Sequence, residues 1–194
     1  MTYPPGAPVQ ALDLTIRPRR EADLPTLGAV LLEQQPVSGY PHRSPLTIPV
    51  RDFLSRPTEI AAWVAEVDGQ PVGHIALSRP PDPADLSEGH AAIVRALEGA
   101  HDRPHTALGE ISVFFTALAA RGRGMGSALL TTALDDLAAR DLAPCLDVVP
   151  THADALRLYR RTGWVEAGSG RPDWLDDSAP DVLALVLPLA TGGD

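Results

Sequence analysis

The chain has 194 residues, a formal net charge of −9 at pH 7 and a hydrophobic content of 44%, enough for a single domain with a substantial core. Its acidity argues against a nucleic-acid partner, which would call for a basic face, and no apolar run approaches the length of a membrane span. The single cysteine, Cys145, excludes an internal disulfide and fits a reducing, cytoplasmic setting.

Residues 1–10, opening Met1-Thr2-Tyr3-Pro4-Pro5-Gly6, carry neither basic residues nor an apolar centre and read as a flexible tail rather than a signal peptide. Residues 11–190 read as one domain and 191–194 as a short second tail. Leu12 to Arg17 alternates as a first strand. Asp23 caps or opens a helix with Leu24, Leu27, Leu31 and Leu32 on its apolar side. The stretch Pro36 to Pro49 is too rich in proline for regular structure, and a short helix is expected near Val50 to Leu54. Ile60–Val67 and Gln70–Leu77 flank Asp68-Gly69, a strong hairpin signal because both turn positions favour φ > 0.

The segment 80–108 is long for a connection in a small domain. It opens on Pro80-Pro81-Asp82-Pro83, holds a short helical pattern at His90 to Glu98 and returns through Pro104. It reads either as a disordered excursion or as a flap over a binding site. His74, His101 and His105 read as structural or solvated, and Cys145 as a buried strand thiol rather than a nucleophile.

Ile111 to Thr116 is a buried strand by its β-branched and aromatic content. Arg121-Gly122-Arg123-Gly124-Met125-Gly126 follows, and then Met125, Leu129, Leu130, Ala133, Leu134 and Leu137 recur at helical spacing. A strand, a glycine turn and a helix aim unpaired N–H groups and a positive helix terminus at one point, which suits a phosphate or pyrophosphate. A nucleotide P-loop is excluded because no lysine opens the helix. The dinucleotide fingerprint fails because Ser127 or Leu129 falls where its last glycine belongs.

What fits is Gln or Arg, two residues, Gly, one residue, then Gly or Ala, met by Arg121, Gly124 and Gly126. This turn resembles the coenzyme A pyrophosphate loop of the GNAT superfamily of N-acetyltransferases. A second stretch, strand Leu146-Asp147-Val148-Val149 and then His152 to Trp164 with Ala155, Leu158, Tyr159, Gly163 and Trp164, is similar to that superfamily's other signature. His152 stands where asparagine is usual, and Leu118 where proline is common.

The resemblance implies an α/β (α+β) domain whose mixed, largely antiparallel central sheet opens in a V between its middle strands. It implies acetyl-coenzyme A as cosubstrate, with Arg121, Gly122, Arg123, Gly124, Met125, Gly126 and Ser127 around the pyrophosphate. Thr116, Leu118 and His152 would lie along the pantetheine arm. A primary amine of a small molecule would attack the thioester directly, with Tyr159 as acid toward the leaving thiolate and Glu110 as base. Asp173, Trp174 and Asp176, between the last two strands, would face the amine and attract a cation. A non-catalytic acyl-coenzyme A-binding regulator and an enzyme acting on a protein amine are the alternatives. No metal-ligand spacing is present, and pairing of two chains through an exposed edge is left open.

Overall fold

The computed structural model describes residues 14–189; both expected tails and the start of the first expected strand lie outside them. In chain order the elements are β1 (Leu14–Pro18), α1 (Leu24–Ser38), α2 (Val50–Leu54), β2 (Glu59–Val67), β3 (Gln70–Ser78) and α3 (Glu88–His101). There follow β4 (Leu108–Thr116), α4 (Met125–Ala139), β5 (Ala143–Val148), α5 (Ala153–Arg161), β6 (Val165–Gly170) and β7 (Val182–Val186). The seven strands form one sheet in the order β1-β2-β3-β4-β5-β7-β6, every neighbouring pair antiparallel except β4 with β5. This is the mixed, largely antiparallel sheet expected from the sequence. Among the described residues no helix is long and apolar enough to cross a membrane.

Period-two alternation along the strands sorts side chains onto two covered faces. One face carries Ile75, Leu77, Ile111, Leu146 and Leu185, packed under Leu129, Leu130, Ala133 and Leu137 of α4 and Leu156 and Tyr159 of α5. On the other face α1 and α2 bury Leu27, Leu31, Phe53 and Leu54 against Val64, Ala76, Val113 and Phe115. The β5-β7-β6 half of that face is covered by Ile93 and Leu97 of α3. The burial of each such side chain contributes roughly 1.5–3 kcal/mol.

Asp68 (φ +49°) and Gly69 (φ +78°) form the hairpin turn that their sequence announces. Three elements differ from expectation. The first helix continues through Pro36 and stops only at Gly39, whose φ of +70° ends it. Pro36 sits in the last turn, where its missing N–H leaves only the carbonyl of half-exposed Leu32 without its helical partner. Asp23 precedes this helix but its side chain does not cap it. Its buried carboxylate instead takes Arg17 at 2.8 and 2.9 Å and the N–H of Arg20 at 2.7 Å, and the Arg17 bond holds it below the usual carboxylate range.

The third difference is the segment 80–108, which is a packed helix and not a disordered excursion. The start of α3 touches the end of β6 backbone to backbone. A Cβ on Gly89 would stand 1.9 Å from the carbonyl oxygen of Arg171, and one on Gly170 would stand 2.2 Å from that of Gly89. Only glycine permits this approach.

Candidate active site

The strands β4 and β5 pair only at Leu108 with Ala143, Gly109 with Pro144 and Glu110 with Cys145. Beyond Glu110 no pairing joins them, and the gap is part of a cleft of about 1170 Å³ that passes between the two halves of the sheet. Within β4, Val113 has φ +45° and the register with β3 slips by one residue between His74 and Ala76. This bulge puts Ser112 and Val113 on the same side, so Phe114 turns toward α4 and α5 while Phe115 turns toward α1. His74, fully buried beneath it, donates from Nδ1 to the carbonyl of Val113 at 2.8 Å, while Nε2 accepts from Arg19 at 3.1 Å. Burial pushes its pKa down to about 4 and keeps the ring neutral. The histidine is structural, as its sequence context indicates.

At one end of the cleft lies the glycine turn. Gly122 (φ +75°) and Gly124 (φ +82°) adopt the left-handed backbone, and none of the described residues lies within 4 Å of where a Cβ would stand. Gly124 is the first residue before α4, and among the described residues no side chain caps that helix, so its first-turn N–H groups meet the cleft with no partner from those residues. Arg121 is anchored by Gln34 Oε1 at 3.0 Å and Asp154 at 3.6 Å. Gly126 and Ser127 line the cleft; Arg123 is exposed and Leu118 half-buried, and neither forms part of its wall. This concave, positive, amide-lined turn fits a pyrophosphate.

Gly126 is the better position at which to test the turn, since an added Cβ meets only Phe114 Cζ at 3.6 Å and carries no backbone strain. Gly126→Leu is expected to weaken coenzyme A binding about tenfold or more, by holding the phosphates away from charge-assisted N–H donors. Isothermal calorimetry measures this, and unchanged affinity would take the turn out of the site. Gly124→Val would mix that effect with strain at φ +82°.

Tyr159 and His152 enter the cleft from the α5 side. Tyr159 is 6% exposed and packs against Phe114 and Trp164 with ring centroids 6.5 and 5.6 Å away. Its surroundings disfavour a phenolate and push its pKa up, so it holds its proton at neutral pH. His152 precedes the first residue of α5 and meets the rings of Tyr40 and His42 edge-on at 5.8 and 6.3 Å. Burial lowers its pKa, so it stays neutral.

On the opposite face of the sheet, Glu110 shares its side of β4 with Leu108, and Asp147 shares its side of β5 with Ala143 and Cys145. The gap between the strands therefore separates Tyr159 on one face from two carboxylates on the other. Glu110 and Asp147 are half-buried on the cleft floor, where partial loss of water favours their neutral forms, and the charge of Asp147 raises Glu110 further, to about 8. Arg56 opposes this shift for both carboxylates, and His90 for Asp147. Such a coupled pair keeps one proton near neutrality and can take up or give one up. Asp147 was not singled out from the sequence. Its signal is a lone carboxylate inside an otherwise apolar strand.

Of the expected acceptor residues, Trp174 lines the cleft, with the ring of His42 at 6.4 Å. Asp176 is exposed, 3.6 Å from His42 Nε2. Asp173 is exposed and forms no part of the wall: in the turn closed by the 3.0 Å bond from Leu175 N–H to the carbonyl of buried Pro172, Asp173 faces outward and Trp174 faces the cleft. The expected cluster of acidic side chains around the indole is therefore not assembled in the cleft. Tyr40, His42, Arg43 and Arg56, all from the irregular stretch around α2, are cleft residues that sequence patterns did not indicate.

A family model described as Acetyltransferase (GNAT) family matches residues 27–164. Among solved structures, the chain is similar to the ribosomal-protein-S18-alanine N-acetyltransferase from Escherichia coli at 16% identity, covering 93% of this chain and 97% of that one with a TM-score of 0.61. The ribosomal-protein-alanine N-acetyltransferase from Brucella melitensis matches at 22% identity over 90% and 99% of the two chains, TM-score 0.62. A spermidine N-acetyltransferase chimera from Vibrio cholerae and hSSAT matches at 19% over 90% and 94%, TM-score 0.60. No curated protein matches the chain significantly.

Proposed function

The chain belongs to the GNAT family of acetyltransferases, and from that premise we propose that it transfers an acetyl or short acyl group from coenzyme A to a primary amine of a small molecule by direct attack. The observation that carries this reading is that the glycine turn, Tyr159 and the Glu110–Asp147 pair all open onto one cleft. Acetyl-coenzyme A supplies a thioester as acyl donor. The amides of Gly124, Met125, Gly126 and Ser127 hold its pyrophosphate beside Arg121 and Gly122, and the wall from Thr116 to His152 receives its arm.

A primary amine has a pKa near 10 and arrives largely as ammonium, so a proton must leave before the nitrogen lone pair can attack. The Glu110–Asp147 pair takes that proton. As the C–N bond forms and the C–S bond breaks, the hydroxyl of Tyr159 protonates the departing sulfur. The amine's second proton, relayed through water, restores the phenol.

The neighbouring structures are named for ribosomal-protein alanine and for spermidine, so the fold itself admits both protein and small-molecule acceptors. The position of Glu110 and Asp147, half-buried inside the cleft, supports a small acceptor here. Incubation with acetyl-coenzyme A and a panel of amines, read by thiol release and product mass, tests the proposal. Acetylated amine in step with released thiol is expected. Coenzyme A binding with no transfer to any amine would reduce the protein to a binding module.

A further inference from the structure

The charges in the acceptor half of the cleft are arranged unlike those in the coenzyme half. Beside the glycine turn Arg121 and Arg157 share Asp154. Arg43, Arg56 and Arg79 also line the wall, and among the described residues none of them forms a salt bridge, although Arg56 acts on Glu110 and Asp147 from nearby. The strands put Arg56 and Arg79 at the Glu110 end: Ser78, just before Arg79, pairs with Glu110, and Arg79 N–H bonds to the carbonyl of Thr58, two residues after Arg56. The Arg56 guanidinium is held over the ring of Phe53, 4.9 Å from its centroid, and Arg79 is fixed by the carbonyls of Thr106 and Leu108. Arg43 is half-buried and follows His42, whose ring meets Trp174. The carboxylates at this end are Glu110 and Asp147 on the floor, while Asp173 and Asp176 lie outside the wall.

A free cation is therefore poorly matched to this mouth, because it must pass guanidinium groups to reach the floor. An amine that carries its own anionic group is well matched: the nitrogen reaches Glu110 and Asp147 while the anion meets the arginines. Resting on the acetyltransferase reading above, we propose that the acceptor is such a compound, a free amino acid or a related amine bearing a carboxylate or phosphate, bound through Arg43 and Arg56. Guanidinium groups suit this task because their planar donors match carboxylate and phosphate oxygens in pairs.

The test compares β-alanine and the common α-amino acids, each with its carboxamide, together with aminoethyl phosphate and diaminopropane, all with acetyl-coenzyme A. Rates are expressed per free amine so that differences in basicity drop out. At least one anionic acceptor is expected to exceed its amide and the diamine in kcat/KM by about tenfold or more. The carboxylate and phosphate arms show which anion is preferred. In Arg43→Gln, Arg56→Gln and the double variant that preference should collapse toward unity, mainly through KM, with coenzyme A affinity unchanged by calorimetry. The proposal is overturned if amides or the diamine are acetylated as well as the anionic amines, or if the variants lose coenzyme A affinity instead, which would assign the arginines to the cosubstrate. Failure of every amine in the panel, with coenzyme A still binding, would overturn the acetyltransferase reading beneath it.

Discussion

Glu110→Gln is expected to lower kcat/KM by about 10²-fold or more while coenzyme A affinity stays within about a factor of two. The amide keeps the size of the side chain but cannot take a proton, and Asp147 alone lacks the neighbour that completes the coupled pair. The pH dependence should change with it. In the native enzyme kcat/KM rises as the carboxyl pair deprotonates, with Glu110 near 8; in the variant the rise moves to the ionisation of the amine. The same change should stabilise the fold at alkaline pH. Glu110 has a folded pKa above its unfolded value of about 4.3, so the folded state binds more protons between those values, and stability is lost as pH rises through about 8. Glutamine removes that loss, a gain on the order of 1–2 kcal/mol once the water reaching the cleft floor is allowed for. Melting temperatures at pH 6 and pH 9 should show the variant's advantage widening with pH. Near-native turnover in Glu110→Gln would rule out a base at this position.

Tyr159→Phe is the second large effect, a fall in kcat of about 10²-fold with little change in coenzyme A affinity. The substitution deletes one hydroxyl and keeps the ring between Phe114 and Trp164, so packing and melting temperature should hold. Because its surroundings keep the phenol protonated, it meets the thiolate as a donor, and thiolates of better leaving groups should need it less. Acyl thioesters of more acidic thiols should thus narrow the gap between native and variant enzyme. Turnover within about a factor of two of native would make Tyr159 a packing residue.

Much of this site is legible along the chain because it rests on local chemistry. Gly122 and Gly124 adopt the positive φ that only glycine takes easily, Asp68-Gly69 makes its hairpin, and the run from His152 to Trp164 carries a helix whose Leu156 and Tyr159 face inward. What was not legible depends on tertiary contact. Asp147 looks like an interruption of a strand until the parallel register, which pairs Glu110 with Cys145, brings it two residues past Glu110 on the same face. Val113 is β-branched, the residue type least suited to positive φ, and its carbonyl takes a hydrogen bond from buried His74 beneath the bulge. Arg43 and Arg56 sit in a stretch without periodicity, and α3 runs past the short pattern at His90 to Glu98 because Gly89 and Gly99, poor helix formers, lie inside its two ends. The acidic loop misled for a related reason: composition places Asp173 near an indole, but in the turn closed between Pro172 and Leu175 it faces outward.

Three paired positions are all that join β4 to β5. The seven strands are thus closer to two smaller sheets sharing a short seam, bridged on one side by α4 and α5, than to one uniform ladder. Whatever occupies the seam contributes contacts that the polypeptide itself leaves unmade. Occupancy and cooperativity are then linked: each increment of ligand affinity is also an increment in resistance to unfolding, and the protein should be most vulnerable to local opening in the interval between losing one acyl donor and capturing the next.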